Sequence, residues 1–547
     1  MVHSADPQRL AGNLHSLRHF GHSRSFIGCL WFLARLWRGD YWTDRVGSQR
    51  LEERSVISSE LVWLAIGLFA LFGVVISLTA TRSNKGTAED YYLAGRKIGP
   101  VVAGLSYAAT TYSAFMLVVL TGLTYRGGIG ALGFELIYFA GLGLLVIFAP
   151  RFYLAAKRWG FISPAEMIGA RYGDRNVARL MAVIALVFLL PYCTTQMAGI
   201  GLLLSGVTNG GFTLFQAVLV GAVLAIFWTL FAGLRSVAWT DAIQAAVMMV
   251  SGLLAVGFAI AALGGFPGLI DKTLENNAEW LSLPGPGLWS IGTFIALSLP
   301  WFFFTISNPQ VSQRLFIIKD FKSMKTMILW VMAFGLIFTQ VAVIWGFAAL
   351  QLQPGLENTS NATPALLGSG VIPIPVALML IVGILAAAIS TLDSIALTMG
   401  AMVSRDFLGK KTASATDRTQ ITVGRVVVVI VIVFASFFAL QTATIVDQLA
   451  SLSAAGLMVT VPSIVGAFFW SRATSWGALA SLLGGSVTAI WMALIQGVSV
   501  FDPVLAVTVA TVTVALFVVV SLVTKPRAEA LDFKAELKAP LKNSGAW

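Results

Sequence analysis

Hydroxyl and carboxylate side chains are concentrated in one long apolar stretch, Ile384 to Ser394, which reads ILAAAISTLDS. Polar groups inside a bilayer are costly unless they have partners or a function. Ser390 and Thr391 could supply hydroxyl oxygens to a hard cation such as sodium. The stretch follows Pro373 and Pro375, so this helix is a candidate for an interruption that frees carbonyls as well. The alternative is that both hydroxyls bond to the preceding helical turn, and the stretch taken alone favours that alternative.

The composition indicates the environment of this stretch. The chain has 547 residues, of which 57% are hydrophobic and 11% are charged, whereas a soluble domain is roughly a quarter charged. Apolar runs of about 20 residues recur along the chain and do not alternate with polar residues, which favours helices over a transmembrane β-barrel. We therefore predict an all-α polytopic membrane protein in a lipid bilayer.

The apolar runs predict about 13 transmembrane helices. They lie near residues 57–81, 100–124, 129–150, 177–205, 212–232, 240–264, 288–308, 325–350, 371–400, 422–440, 445–470, 475–496 and 501–524. The formal charge of +11 comes from basic residues in alternate loops, so it indicates topology and not binding to nucleic acid. Positive loops stay cytoplasmic, which predicts a multi-pass plasma-membrane protein with its N-terminus outside and its C-terminus in the cytoplasm.

The domain organisation follows from the same pattern. We expect residues 1–55 to form a basic N-terminal extension, residues 56–525 a transmembrane domain, and residues 526–547 a cytoplasmic tail. The sequence contains no P-loop, kinase, G-x-S-x-G or H-E-x-x-H motif, and no histidine lies in a predicted span. We therefore expect neither an enzyme nor an ATP-driven pump, and no cofactor. Passive or ion-coupled movement of a small-molecule solute remains.

Secondary transporters bind ion and solute at interrupted helices near the bilayer midplane. In the second span, Leu105 to Phe115 combines small residues with four serine and threonine hydroxyls. In the seventh span, Leu299 to Gln310 contains two prolines and several aromatic residues. These two segments are five spans apart, which suggests two five-helix repeats, near residues 100–265 and 288–470, that each begin with a broken helix.

Further polar residues in the spans have less specific interpretations. Glu135 either faces a cavity or pairs with a nearby arginine. Asp241 is placed at the start of a span, where a carboxylate suits the helix N-terminus. Arg314 is expected at an inner gate or at the cytoplasmic surface. Asp393 is expected to tune the ion site or to hold Ser394.

Several motifs, taken in order, resemble one transporter family. They are DYYLAGRKIGP at 90–100, AGLRSVAWTDAIQ at 232–244, NPQVSQR at 308–314, and ILAAAISTLDS followed by SRDF at 404–407. The chain resembles the sodium:solute symporters, a family that includes proline, pantothenate, monocarboxylate and sugar symporters. The resemblance implies the 5+5 inverted-repeat fold first seen in a bacterial leucine transporter. It also implies that sodium is the coupling ion.

The resemblance also implies which residues bind. The sodium-binding residues would be Ala109, Tyr112, Ala387, Ser390 and Thr391, through carbonyls and the two hydroxyls. The substrate-binding residues would be Thr111, Phe115, Tyr192, Gln196, Trp301 and Ser394. Proline-type members have an aspartate where Thr111 stands and a tryptophan where Phe115 stands. The region around Gln196 is more similar to the pantothenate-type branch.

The expected function is therefore a sodium-coupled symporter that imports a small organic solute by alternating access. The solute would be a monocarboxylate, a pantothenate-like compound or an amino acid such as proline. A proton-coupled symporter and a transporter-like sensor subunit are the alternatives. The sequence predicts no particular oligomeric state.

Overall fold

The computed structural model describes residues 57–81, 86–407, 417–442 and 445–544. The predicted extension at residues 1–55 lies outside the described residues. Nearly every described element is helical, and the β-structure among these residues is one parallel bridge between Ile98 and Ile318.

The first half of the chain contains long helices joined by short ones. The helices are α1 (Ser59–Thr81), α2 (Ala88–Leu93), α3 (Pro100–Thr111), α4 (Thr121–Gly127), α5 (Ile129–Gly141), α6 (Leu144–Trp159), α7 (Pro164–Tyr172), α8 (Arg175–Val207), α9 (Leu214–Ala262) and α10 (Gly265–Asn277). A π-helix, Phe115–Leu120, joins α3 to α4, and 3₁₀ turns cover Ala94–Arg96 and Ala278–Leu281.

The second half is built in the same way. It contains α11 (Ile291–Phe302), α12 (Phe304–Ser307), α13 (Pro309–Ser312), α14 (Phe321–Leu352), α15 (Ala362–Leu367), α16 (Ile374–Met402), α17 (Asp417–Thr442), α18 (Val446–Leu457), α19 (Val461–Phe469), α20 (Ser475–Ile490), α21 (Pro503–Val523), α22 (Phe533–Glu536) and α23 (Lys538–Asn543). The 3₁₀ turns are Gln313–Phe316, Thr359–Asn361 and Met458–Thr460, and the π-helices are Val403–Phe407 and Trp491–Ile495.

The helices confirm a polytopic membrane protein, but the number of full-length spans differs from 13. Within the described residues, ten helices are long and apolar enough to cross a membrane, and the bent pair α3 and α4 makes eleven. Two further predicted spans correspond to shorter apolar helices, Leu214–Leu230 and Ile291–Phe302. They are short because one ends where α9 breaks near Gly233, and the other ends where the seventh segment is interrupted.

The second and seventh predicted spans are interrupted, as their composition indicated. The axis bends by 47° between Pro100–Thr111 and Phe115–Gly127. In the seventh segment, regular helix ends at Phe302 and again before Pro309, which lacks the N–H needed to continue a helix. A third break lies in α9 at Gly233, whose φ of +61° suits glycine. A Cβ at Gly233 would also lie 2.6 Å from the Tyr91 carbonyl oxygen.

The prediction of an interruption in the ninth span is wrong for the stretch that contains the hydroxyls. Helix α16 is continuous from Ile374 to Met402. Pro373 is its N-cap and Pro375 lies in its first turn, where proline replaces an N–H that has no helical partner. The two prolines therefore start this helix and do not break it.

Helix α16 is the centre of the molecule. Every residue from Gly383 to Met402 is buried, so the helix has no lipid-facing side over this length. It packs against α3, α8, α9 and α17. Its polar side chains can therefore reach only other protein groups or a bound ion.

The C-terminal tail defines one face of the molecule, which we call the tail face. Near it lie the Ile98–Ile318 bridge, the α6–α7 connection, Asp406 in the π-helix that follows α16, and the buried Phe533. Helix α14 also begins here, where the Asp320 carboxylate accepts a hydrogen bond from the Ser323 N–H at 2.8 Å. That N–H holds the pKa of Asp320 below its usual value.

Candidate functional site

The end of α3 leaves backbone carbonyls without helical partners. The helix stops at Thr111, and Tyr112 is extended with φ −99° and ψ 90°. The Ala108 carbonyl still accepts a bond from the Tyr112 N–H, at 2.7 Å. The next carbonyl, on Ala109, is one of the terminal groups that needs a partner from elsewhere.

Helix α16 supplies those partners. The Ser390 hydroxyl lies 3.2 Å from the Ala109 carbonyl oxygen and 3.0 Å from the Ala387 carbonyl oxygen. The Thr391 hydroxyl lies 3.3 Å from the same Ala109 oxygen. The structure therefore brings together four of the five predicted sodium-binding residues. Tyr112 is three residues beyond Ala109 in the extended link, and its ring packs against Tyr138 and Phe334.

These oxygen–oxygen distances match the edge of a cation's coordination shell. A calcium ion, similarly a hard cation, binds oxygens at about 2.3–2.6 Å, so two ligands at right angles are roughly 3.3–3.7 Å apart. The Ala109 carbonyl oxygen needs to move only a few tenths of an ångström from each of the two hydroxyl oxygens to reach that spacing. All five predicted residues are at most 1% exposed, so water competes little for it.

A second group of predicted residues forms an aromatic cluster beside this bend. The ring of Trp301 stacks on Phe304 at 5.3 Å with an interplanar angle of 2°, and it lies 4.6 Å from Phe115. Tyr192 approaches Trp301 at 6.4 Å, and Tyr138 does so at 5.3 Å. Flat apolar walls with tyrosine hydroxyls suit a small, partly polar organic solute.

Polar groups border the aromatic cluster. The Ser113 hydroxyl, in the link after α3, lies 3.2 Å from the Tyr192 hydroxyl. The Thr111 hydroxyl donates to the Tyr107 carbonyl at 2.8 Å, and the Thr111 carbonyl accepts from Tyr138 at 3.1 Å. The Gln196 side chain is fully buried, and neither its amide oxygen nor its amide nitrogen has a hydrogen-bond partner.

Ser394 belongs to a different group. Its hydroxyl contacts the Arg314 guanidinium and lies 3.0 Å from the Thr110 hydroxyl. The structure thus joins Ser394 to a charged cluster one helical turn beyond Ser390, toward the tail face. Asp393 does not hold Ser394: its carboxylate lies 2.6 Å from the Thr229 hydroxyl of α9.

The charged cluster is built around a buried ion pair. Arg314 Nη2 lies 3.1 Å from Asp241 Oδ2, and both side chains are at most 1% exposed. Asp241 Oδ2 also accepts a hydrogen bond from Ser106 of α3 at 2.7 Å. Arg314 therefore lies inside the protein, so of its two interpretations the cytoplasmic surface is wrong and the inner gate stays a prediction. Asp241 lies in the interior of its helix, since regular helix resumes at Gly233.

Glu135 is the remaining acid within the first half of the core. Its carboxylate lies 3.4 Å from the Thr339 hydroxyl of α14, and its second oxygen has no hydrogen-bond partner. Arg126, the nearby arginine, instead pairs with Asp447 at 3.0 Å. Of the two interpretations of Glu135, the pairing with arginine is therefore wrong.

Sequence reasoning missed some members of both groups. Phe304, Tyr138 and Ser113 were not predicted as site residues, although Phe304 lies three positions after Trp301 on the interrupted segment. That spacing, together with the break, was the available signal. Tyr138 carried no such signal, because one tyrosine in a span is normally packing or an interface anchor.

Comparisons with known proteins agree with this arrangement. The model of the Sodium:solute symporter family matches residues 91–485. The chain is 26% identical over 411 residues to the High-affinity proline transporter PutP of Bacillus subtilis, covering 73% of this chain and 86% of that protein. It is 27% identical over 450 residues to the Sodium/proline symporter of Salmonella typhimurium, covering 79% of this chain and 87% of that protein. The Sodium/glucose cotransporter of Vibrio parahaemolyticus is 23% identical over 487 residues, with coverage of 80% and 86%.

Solved structures establish the fold. A Na⁺-coupled sialic acid symporter, in a substrate-bound outward-open state, is similar with a TM-score of 0.67 at 19% identity over 85% of this chain and 98% of that chain. MHP1, a nucleobase-cation-symport-1 family transporter in a closed conformation, gives a TM-score of 0.53 at 16% identity, with coverage of 84% and 98%. These matches confirm the leucine-transporter-like fold.

The family match covers most of the chain and decides the broad function. The protein is a multi-pass membrane transporter that moves a small-molecule solute together with sodium, and it is not an enzyme. This chain belongs to the sodium:solute symporter family.

Proposed function

We propose that this protein imports a small organic solute that carries a carboxylate, and that it does so with sodium by alternating access. The observation that supports this most is the meeting of two hydroxyls of a continuous helix with a carbonyl freed at the bend of another. Ser390 and Thr391 both reach the Ala109 oxygen, at 3.2 and 3.3 Å.

Sodium would bind where these oxygens meet. The ligands would be the carbonyls of Ala109, Tyr112 and Ala387 and the hydroxyls of Ser390 and Thr391. Without the ion, the two hydroxyls donate to the carbonyl. With the ion bound, the hydroxyl and carbonyl oxygens would all coordinate it through their lone pairs. The ion would then hold α3 against α16 more strongly than the hydrogen bonds do. Binding of sodium would thereby fix the shape of the link that borders the solute site.

The solute would occupy the aromatic cluster next to that link. Phe115, Tyr192 and Trp301 would form its walls, and Thr111 and Gln196 would offer polar contacts. A buried amide without partners is destabilising unless a ligand completes its bonds, and a carboxylate accepts readily from an amide N–H. Relatives named for proline make an amino acid or a small monocarboxylate the first candidates.

Alternating access requires one face to close while the other opens. On the tail side of the sodium group, the Arg314–Asp241 pair links the 3₁₀ turn after the seventh segment to α9, and through Ser106 and Ser394 to α3 and α16. Opening toward the tail face would have to break this cluster. We propose that sodium and solute enter from the opposite side, and that the tail face is cytoplasmic, in agreement with the basic loops.

Uptake into proteoliposomes tests this proposal. Purified protein would be reconstituted and given labelled proline, a short monocarboxylate, pantothenate or glucose, under an inward sodium gradient or the same gradient of potassium. We expect uptake of a carboxylate-bearing compound that needs sodium and is lost in the Gln196→Leu variant. Uptake driven by a pH gradient without sodium would support proton coupling instead. Binding of solute with no transport under any gradient would support a sensor.

A further inference from the structure

The C-terminal tail is packed into the protein and not extended from it. Phe533 is 1% exposed, and its ring stacks on Trp159 at the end of α6 at 5.0 Å with an interplanar angle of 26°. The same ring lies 5.4 Å from Phe468 in α19 and 6.3 Å from Phe161. One tail side chain thus touches both the first predicted repeat and the second.

Polar contacts and further apolar residues hold the tail in this position. Arg527 pairs with Asp174 at 2.8 Å, and Glu536 forms an ion pair with Arg158. Leu537 and Leu541 are also buried, at 1% and 2% exposure. They follow Phe533 at intervals of four residues, so the three side chains share one face of the short tail helices.

The tail is also close to the α6–α7 connection, which contacts the segments that follow α2, α13 and α16. The Phe161 carbonyl accepts from Arg96 at 2.7 Å, and the Ile162 carbonyl accepts from Gln313 at 3.1 Å. The Ser163 hydroxyl donates to the Asp406 carboxylate at 2.9 Å, just beyond α16, the helix that carries Ser390 and Thr391.

Helix α7, which follows the α6–α7 connection, contacts the π-helix after α16 near one end and the tail near the other. Its Glu166 pairs with Arg405 at 2.7 Å, next to Asp406. Its other end meets the tail, where the Leu531 N–H reaches the Ala170 carbonyl. The π-helix after α16, the 3₁₀ turn after the seventh segment and the tail are therefore connected through residues 161–172.

We propose that residues 527–541, which we call the tail clamp, hold the tail-face ends of α6 and α19 together and so restrain opening of the transporter on that face. The Phe533 ring lies between the two ends and contacts both, and the ion pairs of Arg527 and Glu536 keep it in place. When Phe533 leaves its place between α6 and α19, the state open on the tail face becomes more populated. A ligand or modification that displaces Phe533 therefore changes the rate of transport. This inference rests on the alternating-access cycle proposed above.

The distance between the two clamped ends tests the proposal. Lys157 and Ser471, both exposed, would be changed to cysteine for spin labels, with Cys29 replaced by alanine and the buried Cys193 retained. Pulsed electron resonance would then measure the label separation without sodium. In Phe533→Ala we expect a longer-distance population to grow by about tenfold relative to the intact clamp, because burial of a phenylalanine shifts an equilibrium by at least that factor.

A matched variant controls for general effects of changing the tail. Lys534 is the exposed neighbour of Phe533, so Lys534→Ala should leave the distance distribution unchanged. Arg527→Ala should shift the distances in the same direction as Phe533→Ala, which keeps the test possible if the latter does not fold. An unchanged distribution in a folded Phe533→Ala or Arg527→Ala protein would overturn the proposal. The measurement needs neither solute nor uptake, so it does not fail if the proposed solute is wrong.

Discussion

The buried pair of Arg314 and Asp241 gives the sharpest prediction on stability. Both side chains are at most 1% exposed, and the two groups approach to 3.1 Å. Removing one partner of a buried ion pair leaves an uncompensated charge, at a cost of about 3–5 kcal/mol. Arg314→Met and Asp241→Asn should each lower the free energy of unfolding by about that amount. The double variant leaves no charge behind, so it should cost less than the sum of the two.

The assay is equilibrium unfolding by denaturant in detergent micelles, with all four proteins compared in the same detergent. The matched control is the Arg126–Asp447 pair, whose side chains are 35% and 17% exposed. Arg126→Met should cost no more than about 1 kcal/mol, because solvent screens such a pair. Single-variant costs below about 1 kcal/mol, or a double-variant cost equal to the sum, would refute the reasoning about a buried and coupled pair.

Two further predictions concern the solute side of the core. Gly141→Ala should strongly lower the melting temperature in a thermal-stability assay, because the new Cβ would lie 2.1 Å from the Phe302 carbonyl oxygen. Gly67→Ala, with no atom within 4 Å of the new Cβ, should be tolerated, and equal behaviour of the two would contradict this. Trp301→Leu should raise the half-saturating solute concentration for uptake several-fold, since it removes the stack on Phe304. An unchanged value would exclude the ring as a wall of the solute site.

The sequence predicted the structure correctly where a local pattern of residues favours only one backbone conformation. Apolar runs predicted the helices, and the small polar segment around Ala109 predicted the bend of the second span. The two prolines at the start of α16 were misjudged, because proline interrupts a helix only in its interior and these two are its N-cap and a first-turn residue.

Pairings between distant residues could not be predicted in this way. Arg314 and Asp241 are 73 positions apart, and Asp393 and Thr229 are 164 positions apart. A sequence shows that each polar group in a span needs a partner, but it does not show which partner the packing of helices provides. For the same reason, the contact of Ser394 with Arg314 became evident only when the helices were assembled.

The central claim is that hydroxyls of α16 bind the coupling ion, and direct sodium binding tests it best. Calorimetry or ²²Na⁺ binding in lipid nanodiscs would compare Thr391→Val, which removes the hydroxyl, with Thr391→Ser, which keeps it. Loss of a bond to a charged group costs about 1.5–3 kcal/mol, so Thr391→Val and Ser390→Ala should each weaken sodium binding by roughly tenfold or more. Thr391→Ser should bind nearly as the unmodified protein does. Equal sodium affinity in all four proteins would contradict the account.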